Sequence, residues 1–255
     1  MDILVIPDSH AHPDYHNKRF DWMGRLILDR RPDIVVDIGD SADMASLCHY
    51  DKGTVRAEGR RYMADLDAYF NAQRKLWRPL NTYNAQRRKN KKSIYKPLRV
   101  KCVGNHEQRI INAGIADPAL HGHMTMEDLR DDRYYDKVYP FMEPYIVEDI
   151  AFQHFFSSGV MGKPVGGIHP AATLVRKNHM SCVCGHSHMR DYHETIKPNG
   201  QRVFGLVVGC YVDYDPDWTK EFNRWWSGAV ILHDVKNGSC EPEFISIANM
   251  KRMYG

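Results

Sequence analysis

The chain has 255 residues, 43% hydrophobic and 26% charged, with 35 Lys and Arg against 32 Asp and Glu for a net charge of +3. These proportions exclude a disordered chain, a collagen-like repeat and a disulfide miniprotein, and the length allows a sizeable buried core. The charge is unevenly spread: positions 74–101 hold eleven basic residues and no acid, which leaves −8 for the remainder.

Residues 3–7 (ILVIP) read as a short buried strand. Phe20, Met23, Leu26, Ile27 and Leu28 follow with helical spacing that stops before Arg31-Pro32, and residues 34–38 (IVVDI) form a second strand closed by Gly39. That spacing predicts a right-handed βαβ unit. A third strand, residues 98–103, ends at Gly104. The roughly sixty residues between Gly39 and Gly104 exceed one crossover, so residues 45–97 are expected to form an insert in a single domain. Within it, residues 60–76 read as an amphipathic helix carrying Tyr62, Leu66, Tyr69 and Phe70, and residues 81–93 as a polar, basic, turn-rich tip.

After Gly104 the pattern predicts a short helix and a polar stretch over 117–137. Strands follow at 145–147 and 150–155, then a glycine-rich loop at 159–167, a helix at 171–177 and a strand at 181–184 closed by Gly185. The tail alternates β-like runs (203–208, 229–233, 244–247) with turns at Pro198-Asn199-Gly200 and Asn237-Gly238. Cys48, Cys102, Cys182, Cys184, Cys210 and Cys240 form no C-x-x-C pair, the pattern of reduced buried thiols. No signal peptide fits MDILVIPDSH, and no apolar run reaches the ~20 residues of a membrane span. The expectation is a cytoplasmic protein with no membrane partner.

Four short motifs stand at predicted strand ends: Asp8-Ser9-His10, Gly39-Asp40, Gly104-Asn105-His106-Glu107 and Gly185-His186-Ser187-His188. A sheet gathers the carboxyl ends of its parallel strands along one edge, so four separated motifs can share a pocket. Carboxylates, an amide oxygen and imidazoles together suit Mn²⁺, Fe or Zn²⁺ better than Ca²⁺. The order D-x-H, G-D, G-N-H-E, a lone His and G-H-x-H resembles the calcineurin-like metallophosphoesterase superfamily over residues 8–188. It is similar to the bacterial and phage phosphodiesterases, including the catalytic domains of DNA repair nucleases.

The resemblance implies a four-layer α/β/β/α sandwich carrying two divalent metal ions, Mn²⁺ foremost, with Fe, Zn²⁺ or Ni²⁺ as alternatives. It implies that Asp8, His10 and His188 bind one ion, that Asn105 and His186 bind the other, and that Asp40 bridges them. The lone histidine falls on His154, with His169 as the rival. His106 is expected to act on the scissile phosphate without holding a metal. Catalysis is then in-line attack by water deprotonated between the ions, with no covalent intermediate. Serine/threonine phosphatases of the superfamily carry an Arg-Gly after G-D; here Ser41-Ala42-Asp43-Met44 follows, which disfavours that activity.

Arg109 follows the third motif and could contact substrate, as could Lys163 in the glycine-rich loop. Arg87, Arg88 and Lys89, with Lys91, Lys92, Tyr83 and Tyr95, could bind a DNA or RNA strand. The alternatives are a phosphomonoesterase or cyclic-nucleotide phosphodiesterase acting on small molecules, or a non-catalytic metal-stabilised nucleic-acid-binding module. Oligomeric state is left open. His12 is expected at the rim of the site, His121 and His123 as incidental, and Cys182 and Cys184 in the core. Tyr211, Tyr214, Trp218, Trp225 and Trp226 are read as a substrate wall or a subunit contact.

Overall fold

Aliphatic runs too short to span a helix build the first strands, and the computed structural model, which describes residues 1–214 and 225–255, pairs them in parallel. They are β1 (Ile3–Ile6), β2 (Ile34–Asp37) and β3 (Leu98–Cys102), with every residue of β1 and β2 buried. Strands covered on both faces require such continuous apolar runs. α1 (Lys18–Arg30) makes the crossover and ends at Arg31 in the left-handed region, before Pro32.

α2 (Tyr62–Lys89) is longer than its apolar pattern suggested and runs through Pro79. The expected turn-rich tip is corrected over 81–89, which are helical. Buried Leu80 and Asn84 dock the helix past the proline. The Asn84 amide donates to Tyr95 O at 2.7 Å and accepts from Tyr95 N–H at 3.0 Å. Close approach to α1 is possible because a Cβ on Gly24 would lie 2.1 Å from Leu76 O.

The remaining elements are α3 (Arg109–Ala116), β4 (Lys137–Tyr139), β5 (Tyr145–Val147), β6 (Ile150–Phe152), the two-residue β7 (Ser157–Ser158) and β8 (Lys163–Pro164), and α4 (Pro170–Asn178). β9 (Ser181–Cys184), β10 (Arg190–Ile196), β11 (Arg202–Val208), β12 (Gly228–Lys236), β13 (Ser239–Ser246) and α5 (Ile247–Tyr254) complete the chain. β4, β10 and α5 had no sequence expectation; α5 begins where Ser246 Oγ caps Asn249 N–H.

The strands order as β13-β12-β1-β2-β3-β4 in one sheet and β10-β11-β9-β6-β5 in another. Alternation along β1 splits its side chains between two cores. Ile3 and Val5 meet Val36, Ile150, Phe152, Val183 and Phe204, joining the two sheets face to face. Leu4 and Ile6 meet Phe20, Met23 and Leu26 of α1 and Leu76 and Trp77 of α2. On the outer face of the second sheet Ala151, Cys182 and Cys184 pack on Leu174 of α4. The two cysteines thus lie in the core, as expected, and all six thiols are free. Among the described residues no helix is long and apolar enough to cross a membrane.

Candidate metal centre

The carboxyl ends of β1, β2 and β3 in the first sheet carry Asp8, Asp40 and Asn105, and those of β6 and β9 in the second carry His154 and His186 to the same place. His10, Asp40, His186 and His188 have φ of 40°, 52°, 68° and 57°, the left-handed region that non-glycine residues avoid. Such conformations persist only where neighbours hold them, and they cluster at functional sites. Here His10 N–H donates to Asp40 O at 2.9 Å, His106 N–H to Asp40 Oδ1 at 2.8 Å and His186 N–H to Asp8 Oδ2 at 2.7 Å. Only Gly39 of the three motif glycines needs its backbone freedom, at φ 101°. Gly104 and Gly185 are required for space: a Cβ would lie 2.2 Å from Asp40 Oδ1 in the first and 2.0 Å from Asp8 Oδ1 in the second.

Three overlapping groups arise: Asp8, His10 and His188; His10, Asp40 and His106; and Asp40, His154 and His186, with the ligand atoms of each group within 4.8 Å of one another. Each could hold a metal ion. His10 Nε2 faces His188 Nε2 at 3.1 Å, and His188 Nε2 lies 3.3 Å from Asp8 Oδ2. Asn105 Oδ1 is 2.8 Å from both His154 Nε2 and His186 Nδ1, and His154 Nε2 is 3.2 Å from Asp40 Oδ2.

The donor chemistry fits divalent cations. His10 Nδ1–H donates to Asp43 Oδ1 at 2.9 Å and His154 Nδ1–H to Ile38 O at 3.1 Å, so both Nε2 lone pairs turn inward. Asp8 Oδ1 and His188 Nδ1 are buried with no hydrogen-bond partner among the described residues. Burial pushes the Asp40 carboxyl up, but His154, His106 and His10 outweigh it and hold the group well below the usual carboxylate range. Burial would lower His154, yet Asp40 and Asp8 raise it to about 9. Burial and the neighbouring His154 push His186 down to about 4. The crowding of acceptors that draws a proton to His154 is the crowding a dication satisfies.

Comparison with known protein families and with curated proteins gives no match. Among solved structures, the chain aligns with Yfce, a phosphoesterase from E. coli, at 11% identity, covering 97% of this chain and all of that one, with a TM-score of 0.39. Likeness at that level establishes no relationship.

His106 stands beside the centre, with its side chain 16% exposed. Its Nδ1–H donates to Asp43 O at 2.7 Å, and Arg109 Nη2 donates toward its Nε2 at 3.0 Å. Burial would lower its pKa, but Asp40 and Asp43 outweigh burial and raise it. His10, His106, His188, Asp43 and Arg109 line a cavity of 390 Å³. His12 also lines it and is only 7% exposed, so it belongs to the wall rather than the rim. Tyr214 and Trp225 join this wall. Tyr211 is fully buried and Trp226 packs edge-on against Phe244, while Trp218 lies outside the described residues.

Other candidates are not brought to the centre. Lys163 lies in the β7–β8 ribbon and is absent from the cavity lining, and His169 precedes α4 beside a different hollow. Arg87, Arg88 and Lys89 end α2, where Arg87 Nε donates to Ser93 O at 2.7 Å and Arg31 Nη2 to Tyr83 OH at 2.8 Å. Those contacts precede β2 and β3, so the basic group sits at the amino ends of these strands, about 13–17 Å of strand from the motifs.

Four residues that shape the site were given no role from sequence. Asp43 orients both His10 and His106. Glu107, fully buried, accepts the N–H groups of Asp40, Ser41, Ala42 and Gly104 at 2.8–3.0 Å. Lys101 neutralises it from 3.6 Å and Asp131 from 3.0 Å. Arg19, also fully buried, donates to Ser9 O at 2.7 Å and His10 O at 3.0 Å. The signal for Lys101 was a charge inside the strand-like run at 98–103, which folding tolerates only when paired; Arg19, beside Lys18 and Asp21, carried no such signal.

Proposed function

We propose that the chain is a metal-dependent phosphoesterase that hydrolyses phosphodiester bonds of nucleic acid or nucleotides. The observation that carries this reading is the meeting, at the strand ends of the two packed sheets, of three overlapping carboxylate–imidazole groups, with His106 in the middle one. The three clusters that stack helices, sheet, sheet and helix support the four-layer sandwich, with residues 1–255 as one domain and 45–97 as its insert.

In this reading Asp8, His10 and His188 would hold one ion, Asn105, His154 and His186 a second, and Asp40, which belongs to a group with each of them, would serve both. Two such ions, Mn²⁺ foremost with Fe, Zn²⁺ or Ni²⁺ as alternatives, supply Lewis-acid polarisation of the phosphoryl group and a water of lowered pKa. Asp8 and Asp40 bring two full negative charges, because the surrounding imidazoles keep both carboxyls ionised. Asp43 fixes the His106 ring through Nδ1–H, so Nε2 accepts from Arg109 at rest; protonated at Nε2 once Arg109 turns away, His106 gives that proton to the leaving oxygen. Arg109, already directed at that Nε2, can turn its N–H groups to a phosphate oxygen.

The six free cysteines suit a cytoplasmic setting. A long strand reaching Lys163 or the Arg87, Arg88 and Lys89 group would have to follow the sheet from one edge to the other. The modest cavity favours a second reading, in which the substrate is a small phosphoester. The chelated protein should cleave bis(p-nitrophenyl) phosphate only after Mn²⁺ is restored. Absence of hydrolysis with Mn²⁺, Fe²⁺, Zn²⁺ and Ni²⁺ alike would overturn the enzyme reading and leave the binding module.

A further inference from the structure

Besides the residues of the centre, the 390 Å³ cavity is lined by His12, Asp14, Tyr15, Arg56 and Arg60. Arg60 Nη1 lies 2.6 Å from His12 Nε2, while Asp14 N–H points at His12 Nδ1 from 3.1 Å. An imidazole has at most one acceptor nitrogen, so in any protonation state at least one of these donors lacks an acceptor. If Nδ1 accepts from Asp14, the Nε2–H and the guanidinium present two donors to one point. The nearest carboxylate oxygen to that Nε2, Asp43 Oδ2, is 3.8 Å away, beyond hydrogen-bond reach, and the Asp43 carboxylate is held on its Oδ1 side by His10.

Arg60 also donates from Nε to Arg56 O at 3.2 Å and from Nη1 to Asp14 Oδ2 at 3.0 Å, the latter on a side chain 62% exposed. An exposed pair of this kind contributes at most about 1 kcal/mol and exchanges readily. A phosphate placed there would accept from both His12 and Arg60, with Arg56 and Asp51 also on the cavity wall, and so would engage more donors than the single exposed Asp14 oxygen it displaces.

We propose that Arg60, His12 and Arg56 form a subsite for a second phosphate of the substrate, which is therefore a nucleotide-sized phosphoester bearing two phosphate groups rather than a nucleic acid chain. This rests on the phosphoesterase reading and narrows it. The cavity volume lies within the range of small-molecule sites. The basic group at positions 87–89 lies at the opposite sheet edge and contributes nothing to this wall.

The test compares two substrates, the p-nitrophenyl ester of thymidine monophosphate with and without a second phosphate on the sugar. With Mn²⁺-loaded protein the second phosphate should raise kcat/KM about tenfold or more. The ratio should collapse to about one when Arg60→Ala and Arg56→Ala are combined, and recover in part with Arg60→Lys. A ratio near one in the native protein, or one unchanged in the double variant, would overturn the subsite. So would single-stranded DNA cleaved with a higher kcat/KM than either ester. If no ester is cleaved with any metal, it is the phosphoesterase reading that has failed. Calorimetric binding of the same two esters then decides the subsite: tighter binding of the doubly phosphorylated one, lost in the double variant, supports it, and equal binding overturns it.

Discussion

At the scale of single residues, the site divides into groups that meet a ligand and groups that hold them. His106 makes its contacts through Asp43 and Arg109 and belongs to one of the three ligand groups only through its distance to His10 and Asp40. His106→Ala should lower kcat by about 10²–10⁴-fold, the range for loss of a general acid. Bound Mn²⁺, measured by atomic absorption, should stay near the native value. His188→Ala should lose activity and metal together; equal metal loss in both variants would make His106 a ligand. Lys101 lies deeper, fully buried between Glu107 and Asp131, with Tyr69 OH accepting at 3.0 Å. Lys101→Met strands two buried carboxylates and should lower unfolding stability by about 3–5 kcal/mol in a urea titration. The motif residues were legible because their types and order are unusual. Lys101, Asp43 and Arg19 were not, because each acts through partners that only the fold supplies: Asp131 lies 30 positions from Lys101, His10 and His106 lie 33 and 63 from Asp43, and His10 lies 9 from Arg19.

At the scale of elements, strand ends and turns decide where the chemistry sits. The motif glycines were legible as punctuation, but their reason differs from site to site. Gly39 is needed for its backbone angle, Gly104 and Gly185 because carboxylates occupy the place of a Cβ. Helix α2 shows the opposite case: residues 81–89 read as a polar turn because their helical hold, Leu80 and Asn84 against the 95 region, is tertiary. The first sheet is tied at its far side by His233, whose Nδ1 lies 2.8 Å from Asp2 and Nε2 2.9 Å from Glu243. Hydrogen bonds to Glu243 and Asp2 raise its pKa above 6.5 in the folded protein. The stabilisation is therefore complete below the unfolded value and is lost as pH rises through the higher folded one. His233→Gln should destabilise by at most about 1 kcal/mol near pH 6, given its partial exposure, and by nothing near pH 9. Thermal melts at the two pH values check this, and a larger loss at the higher pH would reverse the sign.

At the scale of the whole molecule, the charge split of the sequence becomes a spatial one. The basic cluster at the end of α2 and the acidic centre occupy opposite edges of one sheet. Arg87→Gln, Arg88→Gln and Lys89→Gln together should leave kcat/KM on bis(p-nitrophenyl) phosphate within about twofold, because screening at about 8–10 Å erases their field at the centre. Any DNA affinity should fall and its salt dependence flatten; a large loss of ester hydrolysis would place the cluster at the site after all. By itself the sequence determined the parallel βαβ start, the strand ends at Gly39, Gly104 and Gly185, and the set of metal-competent side chains. It could do so because strand patterning and ligand chemistry are local properties of residue type and spacing. The tertiary structure alone decided that the basic stretch faces away from the centre, that His12 and Arg60 share its cavity, and that Glu107 and Lys101 lock its loops. Those are relations between segments far apart in the chain, set by how two sheets and their helices pack, and no local spacing encodes them.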